Sequence, residues 1–422
     1  MKVNLQLALN DAGIDANQTS TQRQLVVSVS AGGETIDRTV PLNLCLILDH
    51  SGSMQGKSLE TVKTAASLLV DRLTPEDRLS VVVFDHRAKV LVPNQLITDR
   101  QQIKKQIKQL TADGGTAIDE GLRLGIEELA KGKQDTVSQA FLLTDGENEH
   151  GDNDRCLKFA QLAASYNLTL NTLGFGDNWN DKVLEKIADA GMGTLSYIQH
   201  PDQAVSEFGR LFSRMQTVGL TNAQLLLSLT PNVRLAELKP IAQVSPDTIE
   251  LPVQPESDGR LVVRLGDLMK DEKRVVLVNI YVGQLPEGKQ AIANLQVRYD
   301  DPAANQIGLH SPNLPIYAHV TREYQPAPNP QVQQSVLALA KYRQTQLAET
   351  KLQQGDRAGA ATMLQTAAKT ALQMGDTSAA TVLQVSATRL QAGEELSESD
   401  RKKTRILSKT VLQDASAQCK FI

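Results

Sequence analysis

Between Leu42 and about residue 200 the chain alternates short apolar runs with stretches whose apolar residues recur at helical spacing. The runs LNLCLILD, LSVVVFD, AFLLTDG, LTLNTLGFG and GTLSYI are near-continuous rather than alternating, as expected of strands covered on both faces. Between the first two, Leu59, Val62, Ala66, Leu69 and Leu73 mark one face of a helix. Ile103/Ile107/Leu110, Ile118/Leu122/Ile126 and Val183/Leu184/Ile187 repeat the pattern. Strand and helix in turn predict βαβ units, hence an α/β domain with a doubly wound, mostly parallel sheet over residues 41–216.

The flanks read differently. Residues 1–40 contain VNLQLAL and QLVVSVS, and residues 217–322 contain AQLLLSL, TIELPVQ, RLVVRL, RVVLVNIYV, AIANLQVRY and LPIYAHVT, with turn-forming residues between them. Short strands punctuated in this way predict a β-sandwich. Two strands make no stable sheet alone, so residues 1–40 are expected to pair with the later set, which makes the α/β domain an insertion. Residues 323–331, EYQPAPNPQ, carry three prolines and read as a linker. Residues 332–422 read as a helical region. There Gly355-Asp356 and Gly375-Asp376 each fit a glycine closing one helix and an aspartate capping the next, and Ser397 with Asp400 fits a capping box. The small-residue stripe Ala340, Ala360, Ala368 and Ala379 serves either a folded-back bundle or a docking face.

Composition narrows the function classes. A net charge of −4 supplies no field that would draw nucleic acid or an anionic membrane. The segment MKVNLQLALNDAG lacks the unbroken apolar stretch of a secretory leader, and nothing approaches the roughly 20 apolar residues of a membrane span. Cytoplasmic residence is the resulting expectation. Cys45, Cys156 and Cys419 lie far apart, with no spacing that fits zinc or a disulfide framework.

The chemistry concentrates in Asp49-His50-Ser51-Gly52-Ser53-Met54, which follows the first buried strand directly. In a doubly wound sheet the carboxyl ends of the strands form the ligand crevice, so Asp49, Ser51 and Ser53 stand at its mouth. Two further loops at that edge carry compatible oxygens, Thr116 in Asp113-Gly114-Gly115-Thr116 and Asp145 in Thr144-Asp145-Gly146. Carboxylates and hydroxyls are hard donors suited to Mg²⁺ or Ca²⁺ rather than zinc. Asp85, His86, Asp177 and Asp181 also fall at strand ends and read as solvated turn residues.

These strings resemble the von Willebrand factor type A (VWA) domain. The DxSxS of Asp49, Ser51 and Ser53, the separate Thr116 and the Asp145 of TDG are similar to its metal-ion-dependent adhesion site, or MIDAS. LILDHSGSM, DGGTAIDEGL, LLTDGEN and GFGDNWNDKVLEKIADAGMGTLSYI are similar to bacterial, including cyanobacterial, members. The resemblance implies Ser51, Ser53 and Thr116 as direct ligands of Mg²⁺, with Ca²⁺ or Mn²⁺ tolerated, and Asp49 and Asp145 acting through water. It further implies binding without turnover, to a protein ligand that presents Asp or Glu. By family analogy a MoxR-type AAA ATPase is a candidate partner.

Two other readings stand beside this one. In the first, the chain is a scaffold whose metal only stabilises a loop. In the second, less favoured, it is a Mg²⁺-dependent hydrolase. Gly56-Lys57-Ser58 lacks the spacing of a phosphate-binding loop, Ser51 stands where an aspartate-nucleophile phosphatase needs its acid, and no GxSxG elbow is present.

Overall fold

The computed structural model describes residues 2–32, 40–176, 178–270 and 272–409. Asp177 and Cys419 lie outside the described residues. Three strands open the chain: β1 (Lys2–Leu9), β2 (Gly13–Asp15) and β3 (Ser20–Gly32). The alternating region follows as β4 (Leu42–Asp49), α1 (Lys57–Arg72), β5 (Arg78–Phe84), β6 (Ala88–Leu96), α2 (Arg100–Lys108), α3 (Ile118–Lys131), β7 (Val137–Thr144), α4 (Asn153–Ser165), β8 (Thr169–Phe175), α5 (Asp181–Ala190), β9 (Met192–Ile198) and α6 (Ala204–Gln216).

These six strands form one sheet in the order β6-β5-β4-β7-β8-β9, parallel except for the β5/β6 pair. β4 and β7 are buried at every position, which explains their unbroken apolar text. One face of the sheet packs on α1, α2 and α6 through residues such as Leu46, Leu69, Phe141 and Phe208, the other on α3, α4 and α5 through Ile47, Leu122 and Ile187. The chain leaves β4 toward β5 and later crosses to β7 on its other side, so the switch point of the topology lies between β4 and β7. Helix α3 approaches the sheet closely because it presents glycines there. A Cβ at Gly121 would lie 2.7 Å from Phe84 Cδ1, and one at Gly125 would lie 2.3 Å from Ile47 Cδ1. β6 is missing from the sequence reading. It is an antiparallel edge strand, mostly half-buried and interrupted by register shifts, and its apolar signal is correspondingly weak.

The second half continues with β10 (Val218–Leu229), β11 (Val233–Leu235), β12 (Ile241–Ser245), β13 (Ile249–Glu250), β14 (Val253–Pro255), β15 (Leu261–Met269), β16 (Arg274–Gly283), β17 (Gly288–Asp301), β18 (Gln306–His310) and β19 (Leu314–Thr321). Two sheets result, β1-β3-β16-β12-β13 and β14-β15-β10-β17-β19-β2, with β11 on β16 and β18 on β17. Their inner faces share one apolar core that includes Leu25, Val27, Leu225, Val263, Val278 and Leu295. β3 runs antiparallel to β16 from Ser20 opposite Gly283 to Val29 opposite Arg274, whereas β2 joins the opposite sheet parallel to β19. The N-terminal segment therefore contributes to both sheets, and the α/β unit leaves the sandwich after β3 and re-enters it at β10.

Helices α7 (Pro330–Gln353), α8 (Arg357–Gln373), α9 (Thr377–Gln391) and α10 (Glu398–Lys409) complete the described chain. Gly355 and Gly375 both adopt φ +80°, the left-handed conformation that ends a helix. Asp356 and Asp376 then accept from the amides of Gly359 and Ala379, and Ser397 Oγ accepts from the Asp400 amide at 3.1 Å. Ala360, Ala368 and Ala379 are buried inside the bundle, which favours the folded-back arrangement. α7 covers the outer face of the first sandwich sheet, where Val332, Ala338 and Leu339 meet Val26, Val244 and Leu277.

Two expectations need correcting. The helical region begins at Pro330, capped by Asn329, and the preceding segment is pinned rather than loose. The buried Asp11 carboxylate accepts from Tyr324 Oη at 2.7 Å and from the Ala327 amide at 3.0 Å. Asp181 is not a solvated turn residue: it pairs with Arg405 Nη1 at 2.8 Å. Arg405 and Lys409 of α10 reach α5, where Glu185 and Asp189 complete the ion-pair set. Among the described residues no helix is long and apolar enough to cross a membrane.

Candidate metal centre

The carboxyl ends of β4 and β7 flank the switch point, and all five candidate residues lie at this edge, Asp49 at the end of β4 and the other four in loops. Asp49, the last residue of β4, is fully buried. Its Oδ1 accepts from the Ser51 amide at 2.8 Å and its Oδ2 from Thr144 Oγ1 at 2.5 Å. Burial pushes its pKa up to about 6 against those hydrogen bonds, and the nearby Asp145 charge adds to the rise. Ser51 is buried, and the chain after it turns through a short 3-10 helix at Gly52–Met54 anchored by the buried Met54. Gly56, at φ +86°, then permits the entry into α1.

The side chains meet in a line. Ser51 Oγ lies 3.1 Å from Ser53 Oγ, and Ser53 Oγ donates to Asp145 Oδ1 at 2.5 Å. Burial also raises the pKa of Asp145, opposed by that hydrogen bond. Thr116 is buried beside the same cluster. A Cβ at Gly146 would fall 3.2 Å from Thr116 Oγ1 and 3.8 Å from Ser53 Oγ, so the glycine of TDG keeps this space open.

Backbone hydrogen bonds sew the Thr116 loop to its neighbours. The amide of Asp113 donates to His50 O at 2.9 Å, that of Gly52 to Gly114 O at 2.9 Å, and that of Ala117 to Asp85 O at 2.7 Å. His50 is buried, with Nδ1 3.0 Å from Thr111 O and Nε2 3.8 Å from Asp85 Oδ2. His86 stands over Gly114, where a Cβ would come 2.5 Å from its Nδ1. Sequence reasoning gave His50 no role and took Asp85 and His86 as plain turn residues. It also missed Thr144 as the partner of Asp49, although LLTDGEN carries that threonine.

The donor set fits a small, hard divalent cation. Neighbouring oxygens around Mg²⁺, at bonds near 2.1 Å, stand about 3.0 Å apart, and the two serine hydroxyls already hold 3.1 Å. Among the described residues no group of three or more His, Cys, Asp or Glu side chains is placed to hold a metal ion. The cluster at this edge is instead two carboxylates and three hydroxyls.

Comparison with known proteins agrees with the architecture. The profile of the von Willebrand factor type A domain matches residues 43–208, and that of the Sll0103-like, C-terminal alpha-helical domain matches residues 330–414. The protein sll0103 of Synechocystis is 60% identical over 418 residues, 99% of each chain. The chain belongs to the VWA family, in its Sll0103-like form. The fold of this VWA chain extends to solved structures of low sequence identity. A von Willebrand factor type A protein from Catenulispora acidiphila superposes with a TM-score of 0.83 at 19% identity, covering 98% of both chains. The ArnB paralog VWA2 from Sulfolobus acidocaldarius gives 0.57 at 16% identity, covering 97% of this chain and 98% of its own.

Proposed function

We propose that this VWA protein is a non-catalytic, divalent-metal-dependent interaction module that binds an acidic residue of a protein partner. The observation that carries the reading is the line of oxygens Ser51 Oγ, Ser53 Oγ and Asp145 Oδ1, with Thr116 beside it, at the switch point of the sheet. Ser51, Ser53 and Thr116 would hold Mg²⁺, with Ca²⁺ or Mn²⁺ tolerated, while Asp49 and Asp145 sit behind them. When bound, the ion would offer a Lewis-acidic position that a partner Asp or Glu completes. The raised pKa values of Asp49 and Asp145 favour the reading, because both carboxylates are held where water is scarce and a cation relieves that cost.

Binding without turnover is supported by how the residues are engaged. Asp49 is fully buried with each carboxylate oxygen held by a hydrogen bond, from the Ser51 amide and from Thr144 Oγ1, which suits a fixed structural role better than attack. Cys45 and Cys156 are buried and their thiol pKa values are pushed up to about 12, chiefly by burial, so neither is a ready nucleophile. A MoxR-type AAA ATPase is the partner class that family analogy offers.

The test is metal titration by calorimetry, joined to capture of partners from the source cell in Mg²⁺ and in EDTA. Wild-type protein should bind one equivalent of Mg²⁺ or Mn²⁺ and retain its partner only with metal. Thr116→Ala and Asp145→Ala should lose both while their thermal unfolding changes little, since both lie in loops beyond the strand ends and neither change removes a large apolar side chain. Partner capture unaffected by EDTA and by both variants would return the function to a scaffold.

A further inference from the structure

We propose that Asn148 is a positioning residue of this site, setting the place of Thr116 relative to Asp145. The inference rests on the metal reading above. Helix α3 begins at Ile118, and the residue at its N-cap, Ala117, has no side chain able to cap. The first helical amide is satisfied from another loop: Asn148 Oδ1 accepts from the amide of the buried Ile118 at 2.7 Å. Asn148 Nδ2 in turn donates to Asn153 Oδ1 at 3.1 Å and reaches Cys156 Sγ at 3.6 Å, which fixes the amide's orientation against α4. Two residues further on, the His150 amide donates to Thr116 O at 3.0 Å. The loop that begins with Asp145 thus grips the Thr116 segment on both sides, by a main-chain bond before the helix and by the Asn148 side chain at its first turn. Gly151 makes room for this grip. A Cβ there would stand 2.1 Å from Asn148 Oδ1 and 2.2 Å from Asp119 Oδ1.

Outer partners that orient metal ligands typically change affinity by about 10- to 100-fold when removed. Asn148→Ala in the full chain should therefore weaken Mn²⁺ and Mg²⁺ binding, read by calorimetry, by about tenfold or more. It should also speed hydrogen exchange at the Ile118 amide. Gly151→Ala should do the same by displacing the untouched Asn148. Asn148→Ala and Gly151→Ala that lower the melting temperature yet leave metal affinity unchanged would overturn the proposal and reduce Asn148 to a loop staple. Wild-type, Ser53→Ala and Thr116→Ala proteins all failing to bind either ion would overturn the metal reading itself, and Asn148 with it.

Discussion

Arg405 is the group whose removal should most clearly separate the helical region from the VWA domain. Its guanidinium lies 3.3 Å from Glu185 Oε2 and 2.8 Å from Asp181 Oδ2, and it also pairs with Glu349. At 3.3 Å and an effective dielectric of 20, the Glu185 pair is worth about 5 kcal/mol before desolvation is counted. Breaking a buried pair typically costs about 3–5 kcal/mol, because one charge is left behind. Here Lys409 Nζ remains 3.2 Å from Glu185 Oε1, so part of that charge stays neutralised. Asp181 and Glu349 are 22% and 29% exposed, and solvent screening limits each to under about 1 kcal/mol. Arg405→Met should thus destabilise the docked state by about 2–4 kcal/mol.

The chain carries its own reporter for this event. Trp179 is the single tryptophan, it is buried, and Lys402 Nζ of α10 stands 4.6 Å from its ring centroid. Undocking α10 should therefore redden its emission. In urea the emission midpoint of Arg405→Met should fall by roughly 1 M or more. Glu185→Gln in the same chain removes the stranded carboxylate, and the double variant should cost at least about 1 kcal/mol less than the two singles summed. A midpoint unmoved by Arg405→Met, or strictly additive losses, would refute a buried electrostatic clamp between α10 and α5.

Two further outcomes follow from the packing. Burial opposes ionisation of Asp11, but hydrogen bonds from Tyr324 and from the amides of Ala327 and Gly13, with Arg23 nearby, hold its carboxyl below the usual carboxylate range. Its charge therefore stabilises the fold above the unfolded value of about 3.9 and loses that effect as pH falls through the lower folded pKa. The stability gap between wild type and Asp11→Asn, measured by urea unfolding, should stay level from about pH 7 to 5 and close only below about pH 4; a gap that widens on acidification contradicts the assignment. Leu383 is fully buried among Ala360, Ala367, Ala379 and Leu364, and alanine neighbours cannot reach into a hole. Leu383→Ala should cost about 3–5 kcal/mol by chemical denaturation, and a loss under about 1.5 kcal/mol would mean the bundle collapses around the gap.

The α/β fold was legible because its signal is local. Strands buried on both faces must be apolar throughout, and β4 and β7 say so in eight consecutive residues each. Helical periodicity marks α1, α2, α3 and α5 for the same reason. The edge strand β6 is mostly half-buried or exposed, and its weaker text gives no comparable signal. At the candidate site, Asp49, Ser51 and Ser53 are contiguous in sequence, and Thr116 and Asp145 could be added because a doubly wound sheet brings its strand ends to one edge. The residues that hold them in place gave no such signal. The bonds by which Thr144 holds Asp49 and Asn148 holds the Ile118 amide reach partners 95 and 30 residues away.

The sequence by itself determined the buried strands of the α/β unit, the amphipathic helices α1, α2, α3 and α5, the caps at Asp356, Asp376 and Ser397, and which oxygens stand at the strand ends. Those features depend on the period of burial and on bonds within a few residues. Tertiary structure alone decided that Asp11 pins the proline segment, that β2 and β3 divide between opposite sheets, and that α10 docks on α5. α10 is a polar stretch in sequence, ESDRKKTRILSK, yet its Lys402, Arg405 and Lys409 are each buried. The partners of Arg405 and Lys409 on α5 lie about 220 residues earlier in the chain. A charge enters an interior only where opposite charges await it. Which charges those are is fixed by how the chain closes on itself, and no local pattern encodes it.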